Sequence, residues 1–233
     1  MKYLRYLFFG YCLFSSHGWT AGMQPETPVL EVYEEDGEAS INVTNTGSDA
    51  ALLYVRTSLI DEEKNSGIKL IPTQPVVRVE SGKRQQVRFI LQTTKPLMVE
   101  HMMRAQFSGI PSKNADEKKT DNIKLNVIYT QDIPVIITPK NIKKNKEPWG
   151  DLKFKQQGTN LQVVNTGAYV IRLSPEIIIP ENNKMVDLLR TFILPGETLT
   201  ATLSSSLPIN QVILQPLSRY GIKVNSVNLP VDH

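Results

Sequence analysis

The stretch Asn122-Ile123-Lys124-Leu125-Asn126-Val127-Ile128-Tyr129-Thr130-Gln131-Asp132-Ile133-Pro134-Val135-Ile136-Ile137 decides how the chain is read. Ile123, Leu125, Val127 and Tyr129 alternate with Asn122, Lys124, Asn126 and Thr130, and Ile128 breaks the pattern. Alternation with period two is the signature of a strand, and it sets the odd-numbered side chains on one face. The parity resumes after Gln131-Asp132 at Ile133, Val135 and Ile137. At 16 residues the run far exceeds the roughly 5–6 of an average strand. Pro134 cannot donate to a ladder, so a sheet edge or a bulge is expected there. Two readings follow. The run is either a central strand with one buried face, or an edge whose open backbone and row of side chains can take a strand from another polypeptide.

Outward from this run, the chain is written in strands. Before it come Val29–Tyr33, Ala39–Val43, Ala51–Ser58, Gln86–Gln92 and Arg104–Phe107, rich in Val, Ile, Leu, Thr and Tyr. Asp36-Gly37, Asn45-Thr46-Gly47, Asn65-Ser66-Gly67 and Ser81-Gly82 supply the turns. After it come Leu152–Lys155, Leu161–Val164, Tyr169–Pro175, Glu176–Ile179, Thr191–Leu194, Thr198–Leu203, Val212–Leu217 and Gly221–Val227. Short strands at this spacing, without capped helical periodicity, predict an all-β sandwich or barrel. The two halves echo each other. Ile41-Asn42-Val43-Thr44-Asn45-Thr46-Gly47 is similar to Leu161-Gln162-Val163-Val164-Asn165-Thr166-Gly167, and Glu80-Ser81-Gly82 is answered by Leu194-Pro195-Gly196-Glu197. Two similar β-domains explain the echo, and so does the frequency of Asn-Gly turns between strands. The boundary is expected between Thr138 and Trp149, where Pro139–Trp149 carries two prolines and four lysines without an apolar pattern.

The N-terminus reads as an export signal. Lys2 and Arg5 precede the apolar run Tyr6–Phe14, and small and polar residues follow to Gly22. The run of about nine residues is too short for the ~20 that span a bilayer, so no stable membrane insertion is expected once residues 1–22 are removed. Cys12, the only cysteine, falls inside this segment, so the mature chain must hold its fold without disulfides. Without Lys2 and Arg5 there are 24 basic and 23 acidic residues, a net of +1 that gives no footprint for nucleic acid.

Four stretches taken together resemble one family, the periplasmic chaperones of chaperone–usher pilus assembly. They are the strand Ile41–Asn45; Ile71–Gly82 with Gln86-Val87-Arg88-Phe89, similar to the family's Pro-Pro, Arg, Pro-Gly and Val-Arg pattern; Glu100 to Ile110-Pro111; and the long strand ending at Pro139 with Trp149 beyond. The resemblance implies two immunoglobulin-like domains in series with a cleft between them, expected at 23–139 and 140–233. It implies periplasmic action on pilus or fimbrial subunits and delivery to an outer-membrane usher. The lent strand would present Ile123, Leu125, Val127 and Tyr129 to a subunit that lacks its own final strand. The family's usual carboxylate anchor is an Arg near the mature N-terminus with a Lys late in the long strand. Here Met23–Pro28 has no Arg, and Pro134 and Thr138 stand late in the strand. Arg88 and Arg104, on neighbouring strands, are the candidate anchors, with a solvated or paired surface arginine as the plain alternative for each.

Catalytic chemistry finds no foothold in the pattern. His17, His101 and His233 stand in no metal-ligand spacing, and neither a phosphate loop nor a Gly-x-Ser-x-Gly elbow occurs. No enzyme activity, cofactor or metal is expected. The competing reading is a structural pilus subunit or surface adhesion module. It is weaker because the chain has two domain-sized halves and only Met23–Pro28 as an N-terminal extension.

Overall fold

The computed structural model describes residues 22–111 and 128–233. Its first half contains β1 (Met23–Pro25), β2 (Leu30–Tyr33), β3 (Glu38–Asn45), β4 (Ala51–Leu59), β5 (Ile68–Pro72), β6 (Val76–Val79), β7 (Arg84–Thr93), β8 (His101–Pro111) and β9 (Tyr129–Thr138). These form two sheets, one in the order β1-β3-β7-β5 and one in the order β2-β9-β8-β4-β6. Alternation explains how they face each other. Ile41 and Val43, Val87 and Phe89, and Ile68 and Leu70 point inward from the first sheet. Leu53 and Val55, Ala105 and Phe107, and Ile133, Val135 and Ile137 point inward from the second. Phe89 and Phe107 meet edge-to-face across the sandwich, with centroids 6.4 Å apart and planes at 85°, the arrangement that aromatic quadrupoles favour.

The second half contains β10 (Leu152–Gln157), β11 (Asn160–Asn165), β12 (Ile171–Leu173), β13 (Glu176–Ile179), β14 (Lys184–Asp187), β15 (Phe192–Ile193), β16 (Thr198–Thr202), β17 (Gln211–Leu214), β18 (Pro216–Leu217) and β19 (Val227–Asp232). A sheet in the order β14-β13-β17-β19-β10-β11-β16 faces a three-stranded one, β15-β12-β18. Its apolar core, built around Phe154, Leu161, Ile171, Ile177 and Val212, is separate from the first, and Trp149 packs on it. No helix among the described residues is long and apolar enough to cross a membrane.

The sequence echo is a structural repeat. Asn45 and Asn165 are both buried and make the same bonds. Each side-chain amide donates to the carbonyl four residues on and to a distant strand: Asn45 to Asp49 at 2.9 Å and Val79 at 3.0 Å, Asn165 to Tyr169 at 2.8 Å and Ile193 at 3.2 Å. Each Oδ1 accepts the amide of the following turn glycine, Gly47 at 2.9 Å or Gly167 at 3.0 Å. Each backbone carbonyl also accepts from a second glycine, Gly82 or Gly196, at 2.9 Å. Those two sit at φ 68° and 72°, where a side chain is strained. The repeated letters therefore specify one corner, built twice.

Some strands fall elsewhere than expected. The ladder expected at Gly221–Val227 begins at Val227 and runs to Asp232. Gly221, at φ 79°, closes a tight turn with Ser218, and Lys223 forms only an isolated bridge to Leu217. Strands β1, β5, β6 and β14 were not anticipated, because prolines or charged residues interrupt or flank them. Of the long run, Ile123, Leu125 and Val127 lie outside the described residues.

Candidate functional site

Strand β9 is held differently at its two ends. Along its whole length it pairs antiparallel with β8, from Gly109↔Tyr129 to His101↔Ile137. On its other side β2 runs parallel to it, but only from Leu30↔Val135 to Tyr33↔Thr138. Tyr129 to Pro134 therefore have β8 as their only strand neighbour among the described residues. The N-terminal strand is responsible for this. It starts in the opposite sheet as β1, paired Met23↔Asn45, and crosses over through Glu26-Thr27-Pro28-Val29 before joining β9 as β2. The crossing is pinned. The Glu26 carboxylate accepts the backbone and side-chain amides of Asn42, each at 3.0 Å, and these bonds lower its pKa. Thr27 Oγ1 donates to the Val29 carbonyl at 2.8 Å.

Tyr129 to Asp132 are exposed and Ile133 to Thr138 are buried, so burial begins two residues before β2 joins. Beside the open edge lies a groove of about 400 Å³ lined by Gln24, Pro25, Thr27, Tyr129, Gln131 and Ile133. Tyr129, on its lining, is 51% exposed. Pro134 is the last residue before β2 joins, so the position without an N–H falls where the open edge ends.

The outer face of β9 and β8 carries a polar ladder. Arg104 donates from Nε to Asp132 Oδ1 and from Nη2 to the Asp132 carbonyl, both at 2.9 Å. Gln106 Nε2 donates to Asp132 Oδ2 at 3.3 Å, and Ser108 and Thr130 share a bond of 2.7 Å. Farther along this face the second domain docks. Met102 packs with Val170 and Leu194, flanked by Ile60 and Phe192.

Charged groups flank that apolar seam. Glu100 is 1% exposed. Its carboxylate accepts from the Val170 amide at 2.9 Å, Thr138 Oγ1 at 3.1 Å and Arg219 Nη2, while its own amide donates to the Ala168 carbonyl at 2.8 Å. Arg219 Nε lies 3.6 Å from Glu31. Tyr220 donates to Glu31 at 3.2 Å, and the charge of Glu31 is the main cause of the raised pKa of Tyr220. On the other flank Arg190 bridges Glu62 at 3.0 Å and also pairs with Glu197, with its guanidinium 4.2 Å from the Phe192 ring centroid. None of Glu100, Arg190 or Arg219 can be picked out as a junction residue from the sequence. Each is a lone charge whose partners are fixed only by the fold.

The family described as "Pili and flagellar-assembly chaperone, PapD N-terminal domain" matches residues 22–143. The chain belongs to this family. The chaperone is 40% identical over 205 residues to the uncharacterized fimbrial chaperone YhcA of Escherichia coli strain K12, covering 88% of each chain. Its fold matches a chain of the complex of the Salmonella enterica SafA pilin with the SafB chaperone, with a TM-score of 0.70, 15% identity and coverage of 89% and 95%. It also matches the E. coli chaperone DraB, with a TM-score of 0.70, 17% identity and coverage of 91% and 97%. The fold is that of two immunoglobulin-like domains.

Of the residues of the chaperone singled out by sequence, Tyr129, Arg88 and Arg104 are among the described ones, and they lie apart from one another. Tyr129 stands at the exposed start of β9. Arg104 lies on the outer face of the sheet containing β9 and is paired with Asp132. Arg88 is on the other sheet. Val87 and Phe89 fill the core, so Arg88 points to solvent from the opposite outer face, where Glu38 neutralises it. Arg88 and Arg104 therefore lie on opposite outer faces of the first domain. No cluster of three or more metal-ligating side chains occurs among the described residues.

Proposed function

We propose that this pilus-assembly chaperone works in the periplasm by lending the strand that runs into β9 to an incomplete pilus subunit, with Ile123, Leu125, Val127 and Tyr129 as the inserted side chains. The subunit is then passed to an outer-membrane usher. The observation that carries this reading is the open backbone edge from Tyr129 to Pro134, bordered by a groove and interrupted only where β2 joins. A strand seated there gains main-chain hydrogen bonds from the edge and specificity from alternate side chains. Donor-strand complementation by pilus chaperones is a known instance of such strand addition. The separate cores support a division at 23–139 and 140–233, and the basic start and apolar run of residues 1–22 support an export signal there.

The test is co-expression in a periplasm with candidate subunits from the same genomic neighbourhood, followed by purification of a one-to-one complex. A Leu125→Glu, Val127→Glu double variant should capture subunit at least about 100-fold more weakly, because two carboxylates would have to enter an apolar groove. Equal capture by a folded double variant contradicts strand donation. Failure of the unmodified chaperone to capture any subunit contradicts the reading as a whole.

A further inference from the structure

Strand β2 ends the open edge of β9, and it is held there from both sides. It has four residues, pairs in parallel with Val135–Thr138 and is the end strand of its sheet. Parallel pairing is the weaker kind per residue, so so short a ladder needs support from side chains. Leu30 and Val32 supply it on the inward side, where they enter the core. Parity turns Glu31 and Tyr33 outward, and both are gripped from beyond the first sandwich. The Glu31 carboxylate accepts from Tyr220 Oη at 3.2 Å and lies 3.6 Å from Arg219 Nε. The Tyr33 ring lies under Lys144 of the connecting stretch, with Nζ 5.3 Å from the ring centroid.

Arg219 and Tyr220 stand at the tip of a tight turn between β18 and β19. Gly221 donates to the Ser218 carbonyl at 2.9 Å, and Ser218 donates to the Ile222 carbonyl at 2.8 Å. Ser218 Oγ accepts the Ile222 amide at 3.2 Å. Arg172 props the turn from within the second domain. Its Nη1 donates to the Arg219 carbonyl, and a Cβ added at Gly221 would stand 3.3 Å from its Nη2. The tip is thus braced from its own domain, while its two side chains reach into the other. Tyr220 is 45% exposed, so it adds little to the second core, and its hydroxyl meets β2 instead.

We propose that the turn Ser218–Ile222 is a clasp on β2 and a positioning element for capture. It keeps β2 seated on Val135–Thr138, so that the edge offered to a pilus subunit stops at Pro134. A polypeptide laid along Tyr129–Pro134 and continuing past Pro134 would need the positions that Leu30–Tyr33 occupy. The length it can pair, and with it its register, is set by β2, and the seat of β2 is set by the second domain through Tyr220 and Arg219. This rests on the strand-donation reading and adds to it the element that ends the donated edge.

The experiment measures amide hydrogen exchange on the free chaperone and on its Glu31→Ala, Glu31→Gln and Tyr220→Phe variants. Arg219 is left unchanged because it also serves Glu100. In Glu31→Ala, amides of Leu30–Tyr33 and Val135–Thr138 should exchange at least about tenfold faster, while those of β10 and β11 stay as they were. Tyr220→Phe keeps the ring and loses only the hydroxyl, so it should show about a three- to fivefold rise. Glu31→Gln still accepts from Tyr220, and its rise should be smaller than that of Glu31→Ala.

Calorimetric titration supplies the readout that general loosening would not move. The probes are peptides copying the last strand of a subunit that the unmodified chaperone captures. They are made at that length and with four residues, alternating valine and threonine, added at one end or the other. The unmodified chaperone should bind all three within about twofold, and Glu31→Ala should bind one extended peptide about tenfold more tightly than the shorter one. The proposal is overturned if Glu31→Ala leaves exchange in β2 and β9 unchanged, if exchange rises equally through both domains, or if neither extension gains affinity in that variant. Each of these results leaves strand donation standing as long as the shorter peptide binds the unmodified chaperone. Absence of capture by the unmodified chaperone overturns both.

Discussion

Glu100→Ala should destabilise the protein by about 3–5 kcal/mol, the usual cost of removing one partner of a buried ion pair. The side chain is fully enclosed and joins groups from both domains: Thr138 from the first, the Val170 amide and Arg219 from the second. Removing it strands a buried amide and leaves Arg219 with only Glu31, at 3.6 Å. Because those groups lie across the junction, the domains should also uncouple. Denaturant unfolding of the unmodified protein should be more cooperative than that of the variant, which should resolve into two transitions. Glu100→Gln can still accept from Val170 but loses its charge towards Arg219, so it should cost less than Glu100→Ala. A loss below about 1 kcal/mol for Glu100→Ala, with unfolding unchanged in shape, contradicts the assignment of Glu100 as the bond between domains.

The second large effect is expected at the repeated corner. Asn165→Ala removes an amide that satisfies two carbonyls and one backbone N–H in a site that is 0% exposed. Leaving these groups buried without partners should cost about 2–4 kcal/mol. Asn45→Ala should cost a similar amount in the first domain, since its bonds are equivalent. Aspartate gives the sharper test. It is the same shape but offers acceptors where the carbonyls of Tyr169 and Ile193 need a donor, so Asn165→Asp should be no better than alanine at neutral pH. Rescue by aspartate would mean that shape, rather than donation, holds the corner. Thermal or denaturant unfolding of the single variants decides between the two.

How legible these features were depends on whether the determining interaction is local. The corners were readable because Asn-Thr-Gly is a turn signal in itself, and the second glycine of each echo is required by its positive φ. The buried half of β9 was readable because Ile133, Val135 and Ile137 alternate into one core. The last strand was misread because Pro230 interrupts Val227–Asp232 and suggests a loop. In the fold it pairs with Gln211, while Val231 turns into the core. The junction was not readable, since Glu100 and Arg219 are 119 positions apart and neither belongs to a pattern. Arg172 was hidden by its own neighbours. Ile171-Arg172-Leu173 reads as one more alternating strand, and only the fold shows that the Arg172 guanidinium donates to the Arg219 carbonyl. Similarly, the separation of Arg88 from Arg104 depends on which sheet each strand joins, and sheet order is set by pairings far apart in sequence.

The central claim is that the open edge of β9 takes a strand from a pilus subunit. Amide hydrogen exchange across Tyr129–Pro134, measured on the free chaperone and on its purified complex with a subunit, tests it most directly. Amides alternate in direction along a strand, so in the free protein those turned away from β8 have no ladder partner and should exchange quickly. In the complex they should slow by at least about tenfold as the incoming backbone pairs with them. Unchanged exchange in this segment, with protection appearing instead on the outer face of β3 and β7, would contradict the account.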